Sequence, residues 1–276
     1  MKNKILLFSA ALLLSSPAFA QEDLSVYNYW KYEQGSTGQL LYKLISTQAF
    51  SYLDARRNMV AKLSTKADWQ KRQQEVRAKL AKSIGPFPEK TPLNPVITGT
   101  LKRDDFTVEK LYFESRPGYH VSAAMFIPDK RQPKAPAIVF CSGHSENGFR
   151  SDAYQHLILN YVKKGFIVLA FDPIGQGERI QYQPNELKKG ATNEHSYPGA
   201  QSFVSGITPA NYFIWDGIRS VDYLLTRKEV DPARIGIAGR SGGGTQSAYI
   251  AAMDDRILAA APECYITTFD KLIRSN

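Results

Sequence analysis

The residues best equipped for chemistry are Gly239-Arg240-Ser241-Gly242-Gly243. They lie where an apolar run over 235–238 meets a helical pattern over 243–253. A serine at such a junction sits on a turn so tight that its neighbours must lack side chains, and its hydroxyl stands free above the sheet edge. The following helix turns its N-terminal amides and positive dipole end towards any anion formed on attack. The spacing predicts nucleophilic acyl transfer with Ser241 as the attacking group. A glycine-rich turn whose serine merely caps a helix has the same five residues, but it does not need a buried strand before them.

Such a nucleophile needs an oxyanion hole. One donor is expected to be the Gly242 amide, and the second an amide in the loop that follows the buried strand 137–141. That loop reads Ser142-Gly143-His144-Ser145-Glu146-Asn147-Gly148, which leaves His144 and Ser145 as alternatives. The nucleophile also needs a base. All four histidines, His120, His144, His156 and His195, precede Ser241, and none follows it. His156 lies off the apolar stripe of its helix, His120 opens a distant strand, and His144 belongs to the oxyanion loop. Glu263, at the end of the strand 257–261, is a candidate acid, with Asp270 a weaker one. Asp172 reads as a turn residue.

These positions require a particular scaffold. Strand patterns at 106–113 and 121–127 are separated by Arg116-Pro117-Gly118, and Val121, Ala123, Met125 and Ile127 alternate along one face. The runs 137–141 and 166–171 are apolar throughout, as strands buried on both faces must be. Between them Tyr154, Leu157, Ile158, Tyr161 and Val162 follow helical spacing up to Gly165. Residues 173–207 have no clear period and read as an insertion. Thr208-Pro209 then opens a long helix carrying Ile214, Ile218, Val221 and Leu225. Alternating strands and helices predict an α/β fold with a mostly parallel sheet over 99–276.

Upstream, 21–98 reads as a helical leader. Leu40, Leu41, Leu44 and Ile45 make one stripe, and Trp69, Val76 and Leu80 another. Thr65 with Asp68 resembles a capping box, and the prolines from Pro86 to Pro95 form a linker. Residues 1–20 have the form of a secretory signal: Lys2 and Lys4, an apolar run over 5–14, and Ala18-Phe19-Ala20 at the exit. That run is too short for a bilayer, which takes about 20 residues. Cleavage after Ala20 and a periplasmic or secreted location without membrane attachment are expected.

The 276 residues are 43% hydrophobic with a net charge of +9. The charge is dispersed and does not point to nucleic acid. Neither Cys141, Cys264 nor any histidine is paired at metal-ligand spacing, so no metal is expected. An oxidising compartment permits a disulfide without specifying one.

Several stretches resemble bacterial acetylxylan-esterase-like α/β-hydrolases. They are Asp172-Pro173-Ile174-Gly175-Gln176-Gly177-Glu178-Arg179, then Gly239 to Gln246, then Asp255-Arg256-Ile257 leading to Glu263-Cys264-Tyr265. The leader motifs Gly85-Pro86-Phe87-Pro88 and Pro92-Leu93-Asn94-Pro95 are similar too. The resemblance implies the α/β-hydrolase fold and a cofactor-free serine esterase. The implied activity removes acetyl or other acyl groups from plant polysaccharide such as xylan through an acyl-enzyme. Arg179, Arg240 and His195 are then expected to contact the acylated carbohydrate. The superfamily also contains prolyl-oligopeptidase-like peptidases, and a non-enzymatic carbohydrate-binding homologue is a further alternative. Triad order in this fold is serine, acid, histidine. The chain is therefore expected to stop before its last two strands and its base. It should keep only the residual catalysis of an oxyanion hole, roughly 10³–10⁴ over water.

Overall fold

A computed structural model describes residues 39–182 and 190–275. The signal-like residues 1–20 lie outside them. The chain divides into two compact units, Met1–Met59 and Val60–Asn276. Helix α1 (Leu40–Val60), all but its last residue in the first unit, carries no buried residue, so its apolar stripe is exposed.

The second unit opens with α2 (Lys66–Ile84), capped as its sequence requires. The Thr65 side chain accepts from the Asp68 amide, and Asp68 answers from the Thr65 amide. Those bonds, led by the Thr65 hydroxyl, hold the Asp68 carboxyl below its usual range. Only Ile84 of α2 is buried, with Leu80 half-buried against the core. Trp69 and Val76 are exposed.

Seven strands follow: β1 (Val96–Lys102), β2 (Phe106–Arg116), β3 (Tyr119–Pro128), β4 (Ala135–Cys141), β5 (Ile167–Phe171), β6 (Val230–Arg240) and β7 (Ile257–Glu263). They form one sheet in the order β1-β2-β3-β5-β4-β6-β7. β1, β2, β3 and β5 pair antiparallel, whereas β5, β4, β6 and β7 pair parallel. The sheet is thus more mixed than expected, because β1 occupies what reads as the end of the leader and adds an antiparallel edge.

The interleaved helices are α3 (Asp152–Lys163), α4 (Asn193–Val204), α5 (Pro209–Leu225), α6 (Gly242–Met253) and α7 (Phe269–Arg274). Period-two side chains of β4 and β5 feed two cores. Ala137, Val139, Cys141, Ile167, Leu169 and Phe171 pack with Ile214, Ile218 and Leu224 of α5 and Ile250 of α6. Ile138, Phe140, Val168 and Ala170 pack with Tyr154, Ile158 and Val162 of α3. Helices therefore cover both faces, and the uninterrupted apolar runs follow from that. β7 is the edge strand at the parallel end of the sheet among the described residues, and Leu258 on it is 72% exposed.

α5 is buried almost all round, so its polar groups need internal partners. The Trp215 indole donates to the Ser115 carbonyl at 2.7 Å. Asn211 donates to the carbonyls of Gly85 and Pro86, pinning the proline linker. Asp216 meets Arg179 at 2.8 Å, with both side chains almost fully enclosed.

Candidate active site

Ser241 links the end of β6 to the start of α6 with φ 58° and ψ −118°. A left-handed φ on a residue with a Cβ costs on the order of 1–3 kcal/mol and persists only where the surroundings enforce it. Here the Ser241 amide donates to the Glu263 carbonyl at 2.9 Å, and its carbonyl accepts from Thr245 at 3.0 Å. The turn is pressed against the end of β4. A methyl on Gly239 or Gly243 would overlap the Cys141 carbonyl oxygen. Ser241 itself is exposed, and its hydroxyl has no hydrogen-bond partner among the described residues.

The loop after β4 comes beside this serine. A Cβ on Gly143 would stand 3.2 Å from that of Ser241. The Gly143 amide is bonded to the Tyr154 hydroxyl. The Ser145 amide donates to Gln176 Oε1 at 2.7 Å, so it is already taken. The amides of His144 and Gly242 have no acceptor among the described residues. Of the two alternatives in the loop, His144 is the one with a free donor next to Ser241. The first-turn amide of Gly242 faces outward from α6, as helix N-termini require.

His144 and His195 meet, although the sequence separates them widely. His195 Nε2 lies 2.8 Å from the Ile174 carbonyl, and a carbonyl only accepts, so Nε2 carries the proton. His195 Nδ1 is then an acceptor, and it receives His144 Nε2–H at 3.0 Å. Burial lowers the pKa of both rings; for His195 the Ile174 bond and Glu194 act weakly against that, and His144 adds to it. Phe213 stacks edge-on to His195 at 5.0 Å.

His195, Pro209 and Phe213 form a wall shared by two cavities. One, of about 220 Å³, reaches Gly242 and Thr245 beside Ser241 and is closed by Tyr249 and Gln176. The other, about 610 Å³, is lined by Tyr119, Tyr182, Tyr212 and Glu194.

The remaining expected residues fall in different places. Arg240 is exposed next to Ser241. Arg179, expected on the substrate, is only 5% exposed: it donates to Asp216 and to the Asp172 carbonyl and lies over the Tyr119 ring. It holds the loop after β5 in place and does not reach out from it. Glu263 is half-buried at the end of β7, in register with Arg240, and its carbonyl anchors Ser241. Asp270 faces Arg274 at 3.5 Å. His120 and His156 are exposed, His120 being 3.7 Å from Glu114. Asp172 is more than a turn residue. It is fully buried and accepts from Ser122, Arg150 and the amide of Glu178, joining the loops after β4 and β5.

Cys141 is buried, which pushes its thiol up to about 12, whereas Cys264 is exposed at the sheet edge; neither forms a disulfide. Among the described residues no group of three or more His, Cys, Asp or Glu is placed to hold a metal ion.

Residues 91–275 match the family model described as acetyl xylan esterase (AXE1). The Bacillus subtilis protein YtaP, a hydrolase by name, is 28% identical over 215 residues, which is 73% of this chain and 67% of its own. Among solved structures, a Bacteroides fragilis protein described as an acetyl xylan esterase superposes with a TM-score of 0.59 at 22% identity, over 69% of this chain and 52% of that one. The methylesterase BT1017 gives a TM-score of 0.58 at 26% identity, over 75% and 44%. The chain spans about half the length of these two structures.

Proposed function

Because this chain belongs to the acetyl xylan esterase (AXE1) family, we propose that it is a serine carboxyl-ester hydrolase acting on acylated carbohydrate. The observation that carries this reading is the exposed Ser241 at φ 58°, next to Gly242 and near the loop of His144, whose amides have no acceptor among the described residues. The Ser241 oxygen adds to the ester carbonyl, and the two amides take the negative charge that builds on the carbonyl oxygen. The carbon–oxygen bond to the sugar then breaks, and the departing alkoxide takes the proton that the serine lost. Water repeats the addition on the acyl-serine and releases the carboxylic acid. No step calls for a cofactor.

The proton needs a carrier between serine and alcohol. His144 Nε2 is committed to His195, and its free Nδ1, though near Gly242, makes no hydrogen bond to the Ser241 hydroxyl. Among the described residues no side chain is hydrogen-bonded to the Ser241 hydroxyl as a base, and the reading predicts slow turnover by residues 1–276. Glu263 is kept as a candidate for the acid. The signal-like residues 1–20 support export to the periplasm or beyond.

A serine-directed fluorophosphonate and a chromogenic acetyl ester, applied to the product of the coding DNA read past codon 276, test the reading. Labelling and turnover that both disappear in Ser241→Ala support it. Turnover of a dipeptidyl amide but of no ester would make the protein a peptidase, and absence of any labelling would leave a binding protein.

A further inference from the structure

We infer that His195 is a positioning residue. It holds His144 in its Nε2-protonated form, so that the unprotonated Nδ1 edge of His144, beside Gly242, accepts a hydroxyl from the alcohol part of the ester. This rests on the esterase reading for the identity of the ligand, but not for the state of the two rings.

The order of protons follows from one fixed end. The Ile174 carbonyl can only accept, so His195 must present Nε2–H to it and Nδ1 as a lone pair to its neighbour. His144 Nε2 must then be the donor across the 3.0 Å gap. A neutral imidazole carries one ring proton, which leaves His144 Nδ1 as an acceptor with no partner among the described residues. The Nδ1 and Cε1 edge of that ring is 3.1 Å from where a Cβ on Gly242 would sit, and both residues line the cavity of about 220 Å³.

An aromatic ring nitrogen with a lone pair selects donors. A sugar hydroxyl next to the ester is one, whereas an alkyl chain offers none. The backbone amide and the ring of His144 would then act on opposite ends of one substrate: the amide on the carbonyl oxygen and the ring on the alcohol. His195 is carried by α4, and Phe213 of α5 packs on its ring, so this part of the insertion 173–207 reaches the reacting centre through the His195–His144 contact.

Nitrogen-15 spectra of the imidazole rings in the 276-residue chain at neutral pH read the arrangement without any need for turnover. Wild-type His144 is expected to show a protonated Nε2 and an unprotonated Nδ1. His195→Phe keeps the bulk and removes the acceptor, and should return His144 to the averaged signals of a free imidazole. His195→Asn restores an acceptor oxygen at the Nδ1 position and should restore the pattern. An Nδ1-protonated His144 in the wild type, or a His144 unchanged in His195→Phe, would overturn the assignment. In ester assays the preference for a sugar ester over a simple alkyl ester should fall about tenfold in His195→Phe, as for one lost hydrogen bond, and recover in His195→Asn. An unchanged preference would remove the hydroxyl contact. A chain that shows the ring pattern yet never labels with fluorophosphonate would keep the proton order and lose the esterase.

Discussion

Ser145 gives its amide hydrogen to Gln176 Oε1 at 2.7 Å, and that bond decides which amide of the loop after β4 stays free for an incoming anion. Gln176 is 1% exposed and comes from the loop after β5. The loops after β4 and β5 are thus joined by a side chain that also lines the cavity beside Ser241. Gln176→Leu should leave the Ser145 amide buried without an acceptor, at about 1–3 kcal/mol of stability. It should also lower turnover more than it raises KM, because the neighbouring His144 amide loses its fixed direction. Urea unfolding together with ester kinetics checks both effects. Lost stability with unchanged kcat would confine Gln176 to scaffolding.

The elbow makes a sharper demand on Gly243. Its missing side chain lets α6 start in contact with the Cys141 carbonyl at the end of β4. Gly243→Ala should cost about 1–3 kcal/mol or more, as overpacking does, and fluorophosphonate labelling of Ser241 should drop even in the fraction that folds. Equal labelling per folded molecule would show that the turn tolerates a shift of α6.

Much of this arrangement was legible in the sequence, and the rest was not for identifiable reasons. The elbow, α3 and α5 announce themselves through local signals: glycines around a serine, an i, i+3, i+4 stripe, and Thr208-Pro209 at a helix start. β1 gives no such signal, since nearly all its residues are exposed and Gly99 interrupts it. α4 contains Pro198 and Gly199, which suppress a helical reading, although its one exposed face needs little periodicity. The Trp69 and Val76 stripe misleads in the other direction, because apolar spacing predicts a buried face and the described residues leave it uncovered. The His144–His195 contact and the Gln176 bond depend on how separate loops meet over the sheet. Spacing along the chain carries no information on that. Arg179 reads as a free cation in a loop motif, and only the fold reveals Asp216 beneath it.

The Arg179–Asp216 pair offers a test of that last point. Both side chains are almost fully enclosed, and Arg179 Nη2 and Asp216 Oδ1 have no hydrogen-bond partner among the described residues. Removing one charge strands the other away from water. Asp216→Ala should therefore destabilise by about 3–5 kcal/mol, and Arg179→Met by a similar amount. The double variant should lose much less than the sum. Denaturant unfolding of the four proteins closes the cycle, and strictly additive losses would show that the two charges do not depend on each other.

Acid should loosen the same site through the histidine pair. Burial lowers the pKa of His144 and His195 below the ordinary value of about 6.5. Between that value and the lower folded ones, the unfolded chain binds protons that the folded chain refuses, so stability falls as pH drops through this window and is unaffected above it. A second proton on His195 goes to Nδ1 and sets two N–H groups against each other across the 3.0 Å contact. Glu194, adjacent to His195, works against the loss, but its carboxylate is already held by the amides of Gln181 and Tyr182. Unfolding free energy measured from pH 8 to pH 5 should therefore decline below about pH 6.5. In His195→Phe the decline should be shallower, since one of the two titrating rings is gone and no protonated Nδ1 can oppose the His144 Nε2–H. A variant whose stability falls as steeply as the wild type over that range would place the acid sensitivity elsewhere in the molecule.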